Sequence, residues 1–242
     1  MQKAKCKVQN GRIAGVGLLC LLLAGCFGVD EWTRVDVTGR TTLSATVRMG
    51  FSEQMKGMPI GGVDQKLAQA GSGLPGVQIK SVKTEQRDGQ LIVTSTVEAA
   101  RLADLHQFYR QLPPAAGGDP AATSAPELFR SSGFYRVRRV GNRLRFERTL
   151  VPPKVAKAKA KAGKKGKKDP FDAQQMTDMM FGGVFIRFAA TLPGLIVASN
   201  AEHNDAQTAH WVYPLGHLTK KKVTLWAEIA ATPELERALL GK

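Results

Sequence analysis

Beyond residue 26 the chain has no cysteine: Cys6, Cys20 and Cys26 are the only three in 242 residues. A disulfide framework, a cysteine nucleophile and a zinc–thiolate site are therefore excluded from everything downstream. Acidic residues are missing from positions 1–12 and again from 154–168, and the second of these stretches also lacks any aromatic side chain. No G-x-S-x-G elbow, S-x-x-K, H-E-x-x-H or phosphate loop occurs. "AGKKGKKD" at 162–169 has neither the glycine spacing nor the hydroxyl residue that a phosphate loop needs. Only one long uncharged run exists, Ile13 to Val29.

That run is the most informative stretch present. A basic, acid-free leader, "MQKAKCKVQNGR", precedes the apolar "IAGVGLLCLLLA", and small residues follow. This is the three-part layout of an export signal. "LAGC", Leu23, Ala24, Gly25 and Cys26, resembles the lipobox of bacterial lipoproteins at all four positions. The resemblance implies cleavage before Cys26, diacylglycerol on its thiol and an acyl chain on the new amino group. The alternative is an uncleaved anchor. Seventeen uncharged residues lie at the lower limit for spanning about 30 Å of hydrocarbon, and four glycines weaken such a helix. Phe27 stands where an aspartate would favour inner-membrane retention in enterobacterial lipoproteins, so it points to the periplasmic side of an outer membrane. The expected organisation is a signal peptide over 1–25, a lipidated amino terminus and short tether over 26–32, and one domain over 33–242.

The net charge is +15, but Lys3, Lys5, Lys7 and Arg12 in the leader and eight lysines in the 154–168 block supply most of it. The remainder is close to balance, so the high isoelectric point does not denote a nucleic-acid-binding domain. The block, "KVAKAKAKAGKKGKK", has too little apolar area to order itself, and a disordered insert is expected over 152–170. Lys154, Lys157, Lys159, Lys161, Lys164, Lys165, Lys167 and Lys168 are candidates for binding an anionic lipid surface or an acidic envelope polymer, against a plain solvated linker. Sequence-specific nucleic-acid binding is not expected; the compartment makes lipid phosphate the nearer partner.

Elsewhere the pattern is strand and turn. Arg34–Val37 and Thr41–Met49 read as a strand pair around Gly39. Residues 77–86 and 90–99 flank Asp88-Gly89, a hairpin signal. "RLADLHQFYRQL" at 101–112 spaces Leu102, Leu105, Phe108, Tyr109 and Leu112 as a helix face, closed by Pro113-Pro114. Residues 134–151 form a second hairpin turning at Gly141-Asn142. There Val137, Leu144, Phe146, Thr149 and Leu150 are expected inside, and Arg136, Arg138, Arg139, Arg143, Arg145 and Arg148 outside. Two strands broken at Pro193-Gly194, a final hairpin turning between Pro214 and Thr219, and an amphipathic end complete the chain. Helices are also expected near 63–70 and 171–183. Fold class: α+β, a mostly antiparallel sheet of hairpins with two or three packed helices.

The lipobox, "VDVTGRTTLSATVRM", "LPGLIVASNA" and "WVYPLGHLTKKKVTLWAEI" together resemble the mycobacterial LppM-like lipoproteins and related bacterial proteins of unassigned function. That resemblance implies a membrane-tethered α+β domain with affinity for lipids or glycolipids; the lysine-rich insert departs from it.

Candidate chemistry is sparse. His203, His210 and His217 recur every seven residues, but Pro214 and Gly216 forbid the helix that would align them, and loop histidines are expected rather than a metal site. His106 falls in the amphipathic helix as a packing residue. Met176, Met179, Met180 and Phe181 could line an apolar groove or simply cover the sheet. No catalytic residue, metal ligand or cofactor is assigned. The expectation is a non-catalytic, lipid-anchored envelope protein that binds a lipid-like component, or alternatively a module of an envelope protein complex whose partners the sequence does not name.

Overall fold

The computed structural model describes residues 28–50, 73–111, 134–152, 184–218 and 220–241. Its strands are β1 (Gly28–Val35), β2 (Thr41–Gly50), β3 (Val77–Arg87), β4 (Gln90–Ala99), β5 (Phe134–Val140), β6 (Arg143–Leu150), β7 (Phe185–Thr191), β8 (Ile196–Ser199), β9 (His203–Asp205), β10 (Thr208–Pro214) and β11 (Val223–Ala230). Three short helices, α1 (Asp104–Gln111), α2 (Leu215–Leu218) and α3 (Pro233–Leu240), accompany them. This is an α+β fold built on two sheets.

The larger sheet has the order β3-β4-β2-β1-β7-β10-β9 and the smaller one β5-β6-β11-β8. Pairing is antiparallel except between β1 and β7, which run side by side with Gly28 opposite Phe185 and Arg34 opposite Thr191. Period-two alternation decides which side chains enter the core. Val29, Glu31, Thr33 and Val35 of β1 point inward, as do Leu144, Phe146, Arg148 and Leu150 of β6. The two inner faces meet in one core that includes Val29, Ile186, Phe188 and Trp211 from one sheet and Leu144, Leu225 and Ile229 from the other. Leu105, Phe108 and Tyr109 of α1 join the same core.

Four expectations change. Strand β1 begins at Gly28, so most of the stretch expected to be tether is strand, held by pairing to both β2 and β7. The final segment is not a hairpin: β10 and β11 belong to different sheets, and α2 carries the chain between them. Leu215 and Leu218 are fully buried, so this one turn of helix is an interior plug between the layers. Likewise β7 and β8, broken at Pro193-Gly194, belong to opposite sheets. The third change is Arg148, expected outside and found 6% exposed. Strict alternation with Leu144, Phe146 and Leu150 puts it on the inner face. Thr149, expected inside, lies on the other face, opposite Thr224.

The β3–β4 and β5–β6 hairpins form as expected, turning at Asp88-Gly89 and Gly141-Asn142, with positive φ at Asp88, Gly89 and Gly141. α3 is capped by the Thr232 hydroxyl, which accepts from the Leu235 amide, and closes at Gly241 in the left-handed conformation. The helices expected near 63–70 and 171–183 and the insert over 152–170 fall almost entirely outside the described residues.

The connectivity gives the sandwich two distinct ends. At the Gly28 end lie the start of β7, the finish of β10, α2 and the start of β11. At the other end, the Asp36–Arg40 turn packs against α3. Its Asp36 carboxylate accepts from the amides of Thr38 at 2.8 Å and Arg40 at 3.1 Å. Gly39 has φ +85, and a Cβ there would stand 2.8 Å from the Ala238 carbonyl oxygen, so both conformation and space require glycine.

Candidate functional site

The centre of the molecule holds an ion pair. The Arg148 guanidinium reaches across from the smaller sheet to Glu31 of the larger one, Nη2 donating to Oε2 at 2.9 Å and Nη1 donating to Oε1. The Tyr135 hydroxyl donates to the same carboxylate at 2.9 Å and lies 3.0 Å from the Thr33 hydroxyl. Three rings surround the guanidinium, with centroids 4.9 Å (Phe188), 5.0 Å (Tyr135) and 5.3 Å (Tyr109) from its carbon. A charge buried this deeply is sustained only with a matched partner. Burial pulls the Arg148 pKa down, but the Glu31 charge raises it further, so the group stays protonated. Burial pushes both Tyr109 and Tyr135 above the usual phenol range. Among the described residues two buried side-chain atoms have no hydrogen-bond partner, the Tyr109 hydroxyl and Arg148 Nε.

Beside this pair the sheets leave about 40 Å³ of free space, almost wholly apolar, lined by Phe146, Phe188, Leu192, Trp211 and Leu225 among others. That is room for about two or three water-sized groups. Leu102 and Tyr135 line this space and also line a larger cleft of about 390 Å³ at the Gly39 end. Val137, Leu239 and Leu240 give the cleft an apolar wall, and Arg101 and Arg136 contribute its charged residues. The arrangement is a narrow apolar interior and a wider, mixed surface cleft with Leu102 and Tyr135 common to their linings.

Two further polar clusters lie outside the core. On the outer face of the smaller sheet, Glu228 accepts from Arg145 Nε at 2.6 Å and Arg143 Nη1 at 3.1 Å. Arg138 donates to Glu147 at 2.8 Å, and Arg145 stacks 4.3 Å over the Trp226 ring. Burial would raise the Glu228 pKa, but the two arginines outweigh it and hold the carboxyl below its usual value. At the edge of the larger sheet, His203 and His210 sit opposite each other on β9 and β10, with rings 5.9 Å apart. Both reach Asp205, at 3.0 and 3.2 Å, and these hydrogen bonds lower its pKa. Among the described residues no group of three or more His, Cys, Asp or Glu is placed to hold a metal ion.

The residues singled out from sequence, Leu23, Ala24, Gly25 and Cys26, the eight lysines from Lys154 to Lys168, and Met176, Met179, Met180 and Phe181, all lie outside the described residues. His217 is in α2, away from the His203–His210 pair that the strand register brings together. The principal omission is the Glu31–Arg148–Tyr135 network. Its signal was available: Arg148 occupies an inward position in an otherwise apolar alternation, and Glu31 does the same between Val29 and Thr33.

No family model matches the chain, and no curated protein matches it. Among solved structures it is loosely similar to the folded domain of Mycobacterium tuberculosis LppM, determined by NMR, with a TM-score of 0.46 and 11% identity. The alignment covers 88% of this chain and 95% of that one. No helix among the described residues is long and apolar enough to cross a membrane.

Proposed function

We propose that the chain is a non-catalytic envelope lipoprotein, held by acyl chains on Cys26, whose two-sheet domain binds an apolar or amphiphilic envelope component, a lipid or glycolipid. The observation that carries this reading is an apolar space between the sheets lying next to a wider cleft, with Leu102 and Tyr135 lining both. An amphiphile matches that shape: a chain end against Phe188 and Trp211, and a polar part in the cleft with Arg101 and Arg136. The 40 Å³ interior takes only the tip of a chain, so the cleft supplies most of the contact.

The decisive experiment is mass spectrometry of lipids extracted from the protein after mild purification from its native membrane, followed by titration of the emptied protein with the species found. A co-purifying lipid whose binding is weakened by Leu102→Glu supports the reading. Absence of any bound lipid, with no binding on titration, overturns it. Fatty-acid labelling lost in Cys26→Ser and kept in the parent tests the anchor separately.

A second reading, an interaction module of an envelope complex, draws on Leu195 and Val197, which stay 65% and 49% exposed beside the edge strand β8. Short edge strands flanked by apolar side chains are places where a partner strand can add. The lysine block fits either reading as an attachment to anionic lipid or an acidic polymer of the envelope, with the periplasmic face of an outer membrane as the favoured address.

A further inference from the structure

We propose that the Gly28 end of the sandwich is a docking face for an anionic bilayer leaflet, with Phe185 as its apolar contact and Lys220, Lys221 and Lys222 as its charged one. The inference rests on the lipoprotein reading for the anchor, and on described residues for the face itself.

Strand register gathers this face from distant parts of the chain. Gly28 is opposite Arg48 on one side and Phe185 on the other, and Phe185 is opposite Pro214. From Pro214 the chain passes through α2 to Lys220–Lys222 and enters β11 at Val223, opposite Leu150. The β3–β4 turn at Arg87-Asp88 projects from the same end, since Gln90 is opposite Gly50. Both stems of the segment that contains the lysine block, Val151-Pro152 and Val184, therefore emerge here too. Cys26 precedes Gly28 by two residues, a reach of about 7 Å.

Among the described residues the charge of this end is positive on balance. Asp30 bonds Arg48 and, at 3.3 Å, Arg187, Asp88 pairs with Arg87 at 3.3 Å, and exposed Glu85, level with Arg48 in the sheet, is the further acid. Exposed Lys221 and Lys222 add to those arginines and have no side-chain ion pair among the described residues. The opposite end mixes both signs, with Asp36, Asp104, Glu234 and Glu236 among Arg34, Arg40, Arg101, Arg136, Arg139 and Arg237. Phe185 is 43% exposed at the first position of β7, beside exposed Pro214. An exposed aromatic ring on an end that also carries lysines is suited to the headgroup region, where the ring is buried and the ammonium groups meet lipid phosphate.

The test uses the full acylated protein reconstituted in vesicles of phosphatidylcholine with 30% phosphatidylglycerol, or of phosphatidylcholine alone. A nitroxide is placed by Phe185→Cys, and in a second sample by Val37→Cys at the other end, and its collisions with lipid-soluble oxygen and an aqueous nickel chelate are compared. The expected result is a bilayer-like ratio at 185 and an aqueous ratio at 37 on anionic vesicles. Lys221→Gln/Lys222→Gln should lower the docked-to-undocked ratio about 30-fold, as should the neutral vesicles in part. Mass analysis of Cys26 in the same samples separates the two ideas. An acylated protein with equally aqueous labels at both sites overturns the docking face and leaves the anchor intact. An unmodified Cys26 overturns the anchor, and docking is then read from co-sedimentation with anionic vesicles: loss in the double glutamine variant supports the face, and no change overturns it.

Discussion

Glu31 and Arg148 stand 117 positions apart in the chain and come from different sheets, yet they form the sole fully interior charge pair among the described residues. Each sheet contributes one sign, so the pair registers one layer against the other. The apolar space beside it is shaped by that registration, since Arg148 and Tyr135 are among its walls.

Removing one partner leaves the other buried without compensation. Glu31→Gln or Arg148→Met should lower the unfolding free energy by about 3–5 kcal/mol, read from urea denaturation followed by tryptophan fluorescence. The double change Glu31→Leu/Arg148→Met should recover most of that loss, because an apolar pair of similar bulk has no charge to strand. Additive losses in the double variant would refute the coupling.

The buried tyrosines predict an alkaline limit. Their folded pKa values are raised by burial, whereas in the unfolded chain a phenol titrates near 10. Above about pH 10 the unfolded state loses protons that the native state keeps, so stability falls as pH rises. Tyr109→Phe removes a buried hydroxyl beside Glu31 that meets no partner at hydrogen-bond geometry among the described residues, and it should hold or raise stability at pH 8 while reducing the slope above pH 10. Denaturation midpoints measured from pH 8 to 11 decide the matter.

Acid acts through another group. The Glu228 carboxyl is held below its usual value by Arg145 and Arg143, so its contribution is complete above about pH 4.5 and is lost as pH falls through the lower, folded value. Glu228→Gln should flatten the stability profile between about pH 5 and 3 relative to the parent. It should also weaken the Arg145 hold on the Trp226 ring, visible as a change in fluorescence.

Gly39→Ala couples the turn to the cleft. The added Cβ would stand 2.8 Å from the Ala238 carbonyl oxygen at a backbone φ of +85, so either the turn or α3 must move. The expected cost is about 1–3 kcal/mol. Because Gly39 and Ala238 both line the cleft, binding of a co-purified lipid should weaken as well. Unchanged stability with unchanged binding would show that α3 yields without consequence.

Local signals carried most of the fold. The Asp88-Gly89 and Gly141-Asn142 turns, the helical spacing of Leu105, Phe108 and Tyr109, and the amphipathic carboxyl-terminal end all act over a few residues, and each is found where the pattern places it. Which distant strands pair was not legible. The parallel β1–β7 contact and the passage of β10 to β11 through α2 depend on contacts between residues far apart in sequence, for which adjacency is a misleading guide. The central network was hidden for another reason: an arginine among five neighbouring arginines reads as surface, and only its phase against Phe146 and Leu150 marks it as interior. Site residues named from composition alone, the lysine block and the methionine stripe, fall outside the described residues.

Strand β1 also works as a spacer. Its eight residues span about 25 Å, with the proposed lipid attachment two positions before one tip and the cleft at the other. A domain moored in the proposed way would hold its mouth turned from the leaflet that carries it. Cargo would then arrive across the aqueous gap, from a facing surface or a soluble donor, and the protein would serve as a receiving post rather than a skimmer of its own membrane.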